Sequence, residues 1–325
     1  MPERRPRILV AEPKDFSARA SEALAAIGEL ELRACDREGM RAALASHDVV
    51  WFRLAHRIDR ELLSGPVRAR VLATPVTGLD HVDLDACQER GIQVMSLRGE
   101  VEFLKEVRAT AELTVALALA LVRRVPGAAA SVLVGAWDRD RFRGHELYGK
   151  TVGVVGVGRL GSIVAGYLRA FGMTVLGYDP RPDFPGPVVD HRCSTLTELL
   201  AAADLVTLHV SYSRATRHLI GAAELAAMRP GAWLVNTSRG GIVDDTALLA
   251  ALESHRLAGA ALDVVDGEPD VGAAHPLVAF ARACPDRLLI VPHIGGSTVE
   301  SFEKVEVFLA GRVTEALREL GLLPP

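Results

Sequence analysis

The chain has 325 residues, of which 49% are apolar and 24% charged, with a formal net charge of −4 at pH 7. That balance excludes a disordered chain, a collagen-like repeat or a small disulfide-stapled scaffold, and it supplies no positive field to draw nucleic acid or an anionic membrane. At about 100–200 residues per domain the length predicts two domains or one large one, and four scattered cysteines (Cys35, Cys87, Cys193, Cys284) without CxxC or metal-ligand spacing predict reduced thiols.

The first residues run straight into a strand-like Ile8-Leu-Val-Ala11, without the apolar stretch of a secretory leader. Strands are predicted over 7–11, 30–34, 48–52, 71–73 and 93–96, with the clearest helices over 16–27 and 82–90. A long apolar helix over 110–125 follows, and Pro126-Gly127 predicts its end. Its most apolar part, 113–122, is shorter than the roughly 20 residues that span a bilayer. A second alternating series predicts strands over 152–156, 174–178, 205–208, 233–236, 260–263 and 288–291, before an amphipathic helix over 298–320. Two such series predict an α/β fold of two doubly wound parallel-sheet domains, with ligands at the carboxyl ends of the strands in a cleft between them. The expectation is a soluble cytoplasmic protein with no membrane or nucleic-acid partner.

The strand Thr151-Val-Gly-Val-Val155 leads into Gly156-Val-Gly-Arg-Leu-Gly161 and then a helical stretch, so the GxGxxG spacing lies between strand and helix. Gly156 permits a tight turn, Gly158 lets backbone N–H groups approach a pyrophosphate, and Gly161 lets the helix pack on the strand. The next strand ends at Tyr178-Asp179, close to the spacing of about 20 residues expected of the acid that takes the adenosine ribose hydroxyls. A carboxylate there predicts NAD over NADP; Arg181, two residues on, is a group able to accommodate a 2′-phosphate. The alternative is an ordinary solvated aspartate at a strand end.

Three further predicted strands end in polar segments, Asn236-Thr-Ser-Arg-Gly-Gly-Ile-Val-Asp244, Asp263-Val-Val-Asp-Gly-Glu-Pro269 and Pro292-His-Ile-Gly-Gly-Ser-Thr298. Arg239, Glu268 and His293 can converge there, and their types suit one reaction. Hydride leaves C2 of a 2-hydroxy acid only as its hydroxyl proton is taken, which suits an imidazole. A carboxylate on the other ring nitrogen fixes the tautomer and stabilises the imidazolium. A guanidinium grips the substrate carboxylate and, in reverse, polarises the carbonyl. His81, His145, His255 and His275 lack paired ligand spacing, and no metal site is expected.

These segments, taken with the glycine loop, resemble the D-isomer-specific 2-hydroxyacid dehydrogenases over essentially the whole chain. NTSRGGIVDDTAL is similar to the family's NxxRGxxVDExAL, DVVDGEP to DVFxxEP, and PHIGGST to PHxGxxT. The resemblance implies a substrate-binding Arg239, a Glu268 that supports the catalytic histidine, and His293 as acid/base. It implies a Rossmann cofactor domain over 105–296 and a flavodoxin-like substrate domain over 1–104 and 297–325. NAD is the implied cofactor, lined by Gly156, Gly158, Arg159, Leu160, Gly161, Asp179, Pro180, His209, Val210, Thr216, Thr237, Ser238, Asp263, His293 and Gly295. Val76, Thr77 and Gly78 match a loop whose N–H groups hold the substrate carboxylate, and Arg53 an arginine that reaches the substrate's distal end. A homodimer through the helix after Thr110 is also implied.

Two departures limit the likeness. Ser211 stands where the family carries proline, and about five extra residues lie in the 98–108 segment. There Arg98, Lys105 and Arg108 offer charge to a second anionic group, while Glu100, Glu102 and Glu106 favour a solvated turn. The substrate expected first is 3-phosphoglycerate or a related D-2-hydroxy acid. The alternatives are a phosphonate, phosphite or formate dehydrogenase, or a non-enzymatic NADH-sensing corepressor, although the chain ends at Leu322-Leu-Pro-Pro325 without the tail of a corepressor.

Overall fold

A computed structural model describes residues 4–181, 184 and 188–324; residues 1–3 and 325, at the ends of the expected substrate domain, lie outside the described residues. The chain forms two compact units, one running to Val107 and resuming at Thr298, the other spanning Arg108–Ser297.

In the first unit, strands β1 (Arg7–Val10), β2 (Glu29–Leu32), β3 (Val49–Trp51), β4 (Val71–Ala73) and β5 (Gln93–Met95) form one parallel sheet in the order β2-β1-β3-β4-β5. This is the flavodoxin-like order, with its switch point between β1 and β3. The central strands are apolar on both faces because helices cover both. Ile8, Leu9, Val10, Val50, Trp51 and Leu72 are fully buried. Helices α1 (Ala18–Ile27), α2 (Arg37–Ser46) and α3 (Leu84–Glu89) start where a short polar side chain takes a free N–H: Ser17 accepts from Ala20, Asp36 from Gly39 and Asp83 from Ala86.

The 98–108 segment forms a single turn, α4 (Val101–Leu104). It is amphipathic, with Glu102, Lys105 and Glu106 exposed and the Phe103 and Leu104 side chains docked. Leu97 and Leu104 are buried with Val305, and Phe103 stacks on Phe308 with ring centroids 3.8 Å apart. Lys105 pairs with Glu102, three residues back.

The second unit opens with α5 (Ala109–Val122) and α6 (Val125–Leu133). The expected helix end at Pro126-Gly127 is corrected. The break comes at Arg124, in the left-handed region at φ 54°, and Pro126 lies in the first turn of α6, where a missing N–H costs no intrahelical bond. There follow β6 (Thr151–Val155), α7 (Arg159–Ala170), β7 (Thr174–Tyr178), β8 (His191–Arg192), α8 (Leu196–Ala202), β9 (Leu205–Leu208), α9 (Ala222–Ala227), β10 (Ala232–Asn236), α10 (Asp245–Glu253), β11 (Leu257–Leu262), α11 (Pro276–Ala283) and β12 (Leu288–Ile290). These strands make a second parallel sheet, β12-β11-β10-β9-β6-β7-β8, which has the doubly wound Rossmann order with one added strand. The edge strand β8 carries two exposed polar residues and so left no apolar signal in the sequence. One sheet face packs on α5 and α7, the other on α8, α10 and α11.

The last helix, α12 (Val299–Glu319), belongs to the first unit. Its Leu309, Ala310, Val313 and Leu317 are buried against Val10, Trp51, Ala73 and the α1 residue Leu24. Among the described residues no single helix is long and apolar enough to cross a membrane.

Candidate active site

A parallel sheet brings all its carboxyl ends to one edge, and in the second unit the order reverses between β6 and β9, where a crevice opens. The glycine loop leaves β6 at this switch point. Gly156 takes φ +90°, and a Cβ there would lie 2.7 Å from the His209 carbonyl oxygen. A Cβ on Gly161 would meet the Gly156 oxygen at 2.0 Å, so helix and turn touch only because neither has a side chain. Gly158 is different. Its added Cβ meets nothing nearer than Arg181 Nη2 at 3.7 Å. Arg159 and Leu160, half-buried, open α7. This is a cradle at a helix N-terminus, and the residues present fit a dinucleotide pyrophosphate.

Asp179, at the end of β7, accepts from the Val157 N–H in the glycine loop at 3.1 Å. Arg181 also grips it bidentately, Nε to Oδ1 at 2.9 Å and Nη2 to Oδ2 at 2.8 Å. The guanidinium, with the two backbone N–H groups, holds the Asp179 carboxyl below its usual range against the opposing effect of burial. Pro180 beside it is exposed.

His209 ends β9. Its Nε2 lies 2.9 Å from Thr207 Oγ1, its Nδ1 is buried without a partner, and burial pushes its pKa down to about 3, so the ring is neutral. Val210 follows, half-buried. The shape that proline would impose at Ser211 is held instead by Thr216, whose hydroxyl donates to the Ser211 carbonyl at 2.8 Å and accepts from the Ser213 N–H at 2.8 Å.

Past β10, Asn236 Oδ1 accepts from both the N–H and the hydroxyl of Ser238, and its Nδ2 donates to the Arg239 carbonyl. Thr237 Oγ1 lies 2.8 Å from Thr114 Oγ1 on α5. Thr114 was missed from sequence because no motif marks it. Arg239 is half-buried, with Nη1 donating to the Ser238 carbonyl at 2.7 Å.

The next two strands bring Glu268 and His293 together, with Glu268 Oε1 3.1 Å from His293 Nδ1 and each side chain 27% exposed. His293 sits in the left-handed region at φ 52°, a conformation that costs a non-glycine residue about 1–3 kcal/mol and recurs at functional sites. Asp263 fixes it. The His293 N–H donates to the Asp263 carbonyl at 2.8 Å, and the N–H groups of Ile294 and Gly295 end on the two carboxylate oxygens at 2.7 and 2.9 Å. Burial raises the Asp263 pKa, with those two N–H groups opposing the rise. Among the described residues no cluster of three His, Cys, Asp or Glu side chains is arranged for a metal ion.

In the first unit, no backbone carbonyl among the described residues accepts from the N–H groups of Val76, Thr77 or Gly78 beyond β4, which leaves three adjacent donors of the kind that cradle an anion. Arg53, past β3, is held by Glu306 of α12 at 2.6 Å.

The doubly wound sheet, glycine cradle and strand-end acid define a dinucleotide-binding α/β protein. The chain belongs to the D-isomer specific 2-hydroxyacid dehydrogenase family, whose NAD binding domain matches residues 115–295. It is 35% identical to a D-3-phosphoglycerate dehydrogenase of Methanocaldococcus jannaschii over 96% of its own length and 57% of that protein's. It is 34% identical to a glyoxylate reductase of Thermofilum pendens, over 89% of this chain and 83% of the relative. Its fold resembles the D-lactate dehydrogenase of Aquifex aeolicus solved with NAD and lactic acid, at a TM-score of 0.82 and 30% identity over 97% of each chain. The chain thus spans little more than half the length of the phosphoglycerate dehydrogenases it matches.

Gly161→Ala, by pushing its Cβ into the Gly156 carbonyl, should weaken NADH binding at least tenfold in a fluorescence titration. Gly166→Ala, in open space on the same helix, should leave it unchanged.

Proposed function

We propose that the protein is an NAD-dependent oxidoreductase that interconverts a D-2-hydroxy acid and its 2-oxo acid. The observation that carries this reading is the His293–Glu268 pair at 3.1 Å, built on the sheet edge that also carries the glycine cradle. Bound nicotinamide supplies the hydride acceptor in oxidation and the donor in reduction. Arg239 holds the substrate carboxylate and polarises the C2 oxygen. The Nε2 of His293, turned from Glu268, takes the hydroxyl proton in oxidation and returns it in reduction, while Glu268 keeps Nδ1 protonated and steadies the imidazolium. In the first unit, the N–H groups of Val76, Thr77 and Gly78 bind carboxylate and Arg53 meets the distal part of the substrate. The four free cysteines suit a reducing cytoplasm.

A second copy of the chain is the partner we assign to the segment after α5. Leu133, Val134 and Trp137 are 87%, 84% and 88% exposed, an apolar surface that an isologous dimer would cover. We assign the contact to α6 and the residues just beyond it, since α5 is largely buried within its own unit.

His293→Ala should lower the reduction of 2-oxo acids by roughly 10²–10⁴-fold while NADH binding persists; retained turnover would remove the acid/base assignment. Arg181 occupies the carboxylate meant for ribose, so Arg181→Ala should raise the ratio of NADH to NADPH affinity, and Asp179→Ala should lower it, each about tenfold; equal titrations would refute the assignment. Trp137→Glu should convert a dimer to a monomer in sedimentation velocity, and a wild type already monomeric would dismiss the dimer.

A further inference from the structure

Arg53 lies at the carboxyl end of β3, beside the switch point of the first sheet, where doubly wound folds form their ligand crevices. Its surroundings are unusual for an arginine meant to grip an anion. Nη2 donates to Glu306 Oε1 at 2.6 Å, and Glu306 is completely buried. The other oxygen of that carboxylate accepts from the Ser17 N–H at 2.7 Å, so Glu306 is locked to the start of α1. Nη1 donates to the Lys14 carbonyl at 3.0 Å, and the guanidinium lies over the Phe302 ring at 4.5 Å. A second carboxylate is close, since Glu12 Oε1 accepts from the Arg53 backbone N–H at 2.8 Å. His56, three residues on, adds no compensating charge, because burial lowers its pKa against the opposing effect of Glu12 and Asp36. One donor remains unused: Arg53 Nε is buried and has no hydrogen-bond partner.

One carboxylate is therefore bonded to the guanidinium and a second to the backbone N–H of the same residue, while the two Nη groups that would bind a phosphate or carboxylate bidentately already hold Glu306 and the Lys14 carbonyl. A dianion brought here meets attraction from Arg53 offset by repulsion from Glu306 and Glu12. A hydroxyl, ether or carbonyl oxygen loses nothing to that repulsion. In the 98–108 segment Lys105 is paired with Glu102.

We infer that Glu306 and Glu12 make the surroundings of Arg53 a charge-balanced specificity site that takes an uncharged tail and rejects a 2-oxo acid with a second anionic group. This rests on the reading of the chain as a 2-oxo acid reductase with Arg53 at the distal end of the substrate. Specificity here comes from a built-in repulsion as much as from an attraction.

The test compares hydroxypyruvate with 3-phosphohydroxypyruvate, which differ by one phosphate, as substrates for NADH-dependent reduction by the full chain. The wild type should favour hydroxypyruvate at least tenfold in kcat/KM. Glu306→Gln, which keeps an acceptor but removes the charge, should shrink that preference at least tenfold through the KM of the phosphorylated acid. Glu12→Gln should act in the same direction and replaces it if the buried variant fails to fold. A wild type that prefers the phosphorylated acid, or variants that leave the ratio unmoved, overturn the inference. If no 2-oxo acid is turned over, the oxidoreductase reading fails instead. Calorimetric titration with inorganic phosphate then decides the pocket: binding by the variants and not the wild type supports it, and equal binding overturns it.

Discussion

The buried carboxylate of Asp263 is the constraint on which the catalytic edge depends. It ends β11, is 2% exposed, and accepts the N–H groups of Ile294 and Gly295, while its own carbonyl accepts from His293. A glycine at 295 is required because a Cβ there would stand 2.7 Å from Asp263 Oδ2. These bonds hold the chain beyond β12 in a turn that gives His293 its left-handed backbone, and that turn aims the ring at Glu268. Pairing of β11 with β10 and β12 transmits the same register to Arg239 on one side and His293 on the other. The arrangement is over-determined by backbone bonds, which is what a strained residue needs to persist.

A second over-determined junction joins the glycine loop to β9. The His209 carbonyl packs against Gly156, its N–H bonds the Val155 carbonyl at 2.7 Å, and its neutral ring leans on Thr207. Without proline at position 211, the chain beyond β9 turns on the Thr216 hydroxyl. A side-chain bond, and not a ring that fixes φ, closes that turn.

The legible parts of this molecule were those written locally. Strand–helix alternation gave both parallel sheets, because interior parallel strands must be apolar on both faces and announce themselves as short apolar runs. The GxGxxG spacing and the polar segments after β10, β11 and β12 announced the sheet edge for a similar reason, since close approach admits only glycine and chemistry admits few residue types. What stayed hidden was non-local or weakly patterned. The strand β8 is two polar residues on an edge, and Pro126 is equally compatible with the end of one helix and the start of another. The Arg53–Glu306 bond joins residues 253 positions apart, with neither end in a motif. Glu306 looks in sequence like one more charge on an amphipathic helix, yet it is fully buried.

The Arg181–Asp179 and Arg53–Glu306 pairs differ in a way that decides what each can do. Arg181 is 59% exposed although Asp179 is only 6% exposed, so the guanidinium, unlike the carboxylate, has solvent to turn to. Glu306 has no solvent to turn to. Separating it from Arg53 leaves an uncompensated buried charge, a loss of about 3–5 kcal/mol in comparable pairs, so a ligand must accept the pair as it stands. On the proposed reading, selectivity at the first pair is a competition between ligand and side chain, and at the second a property fixed when the first unit folds.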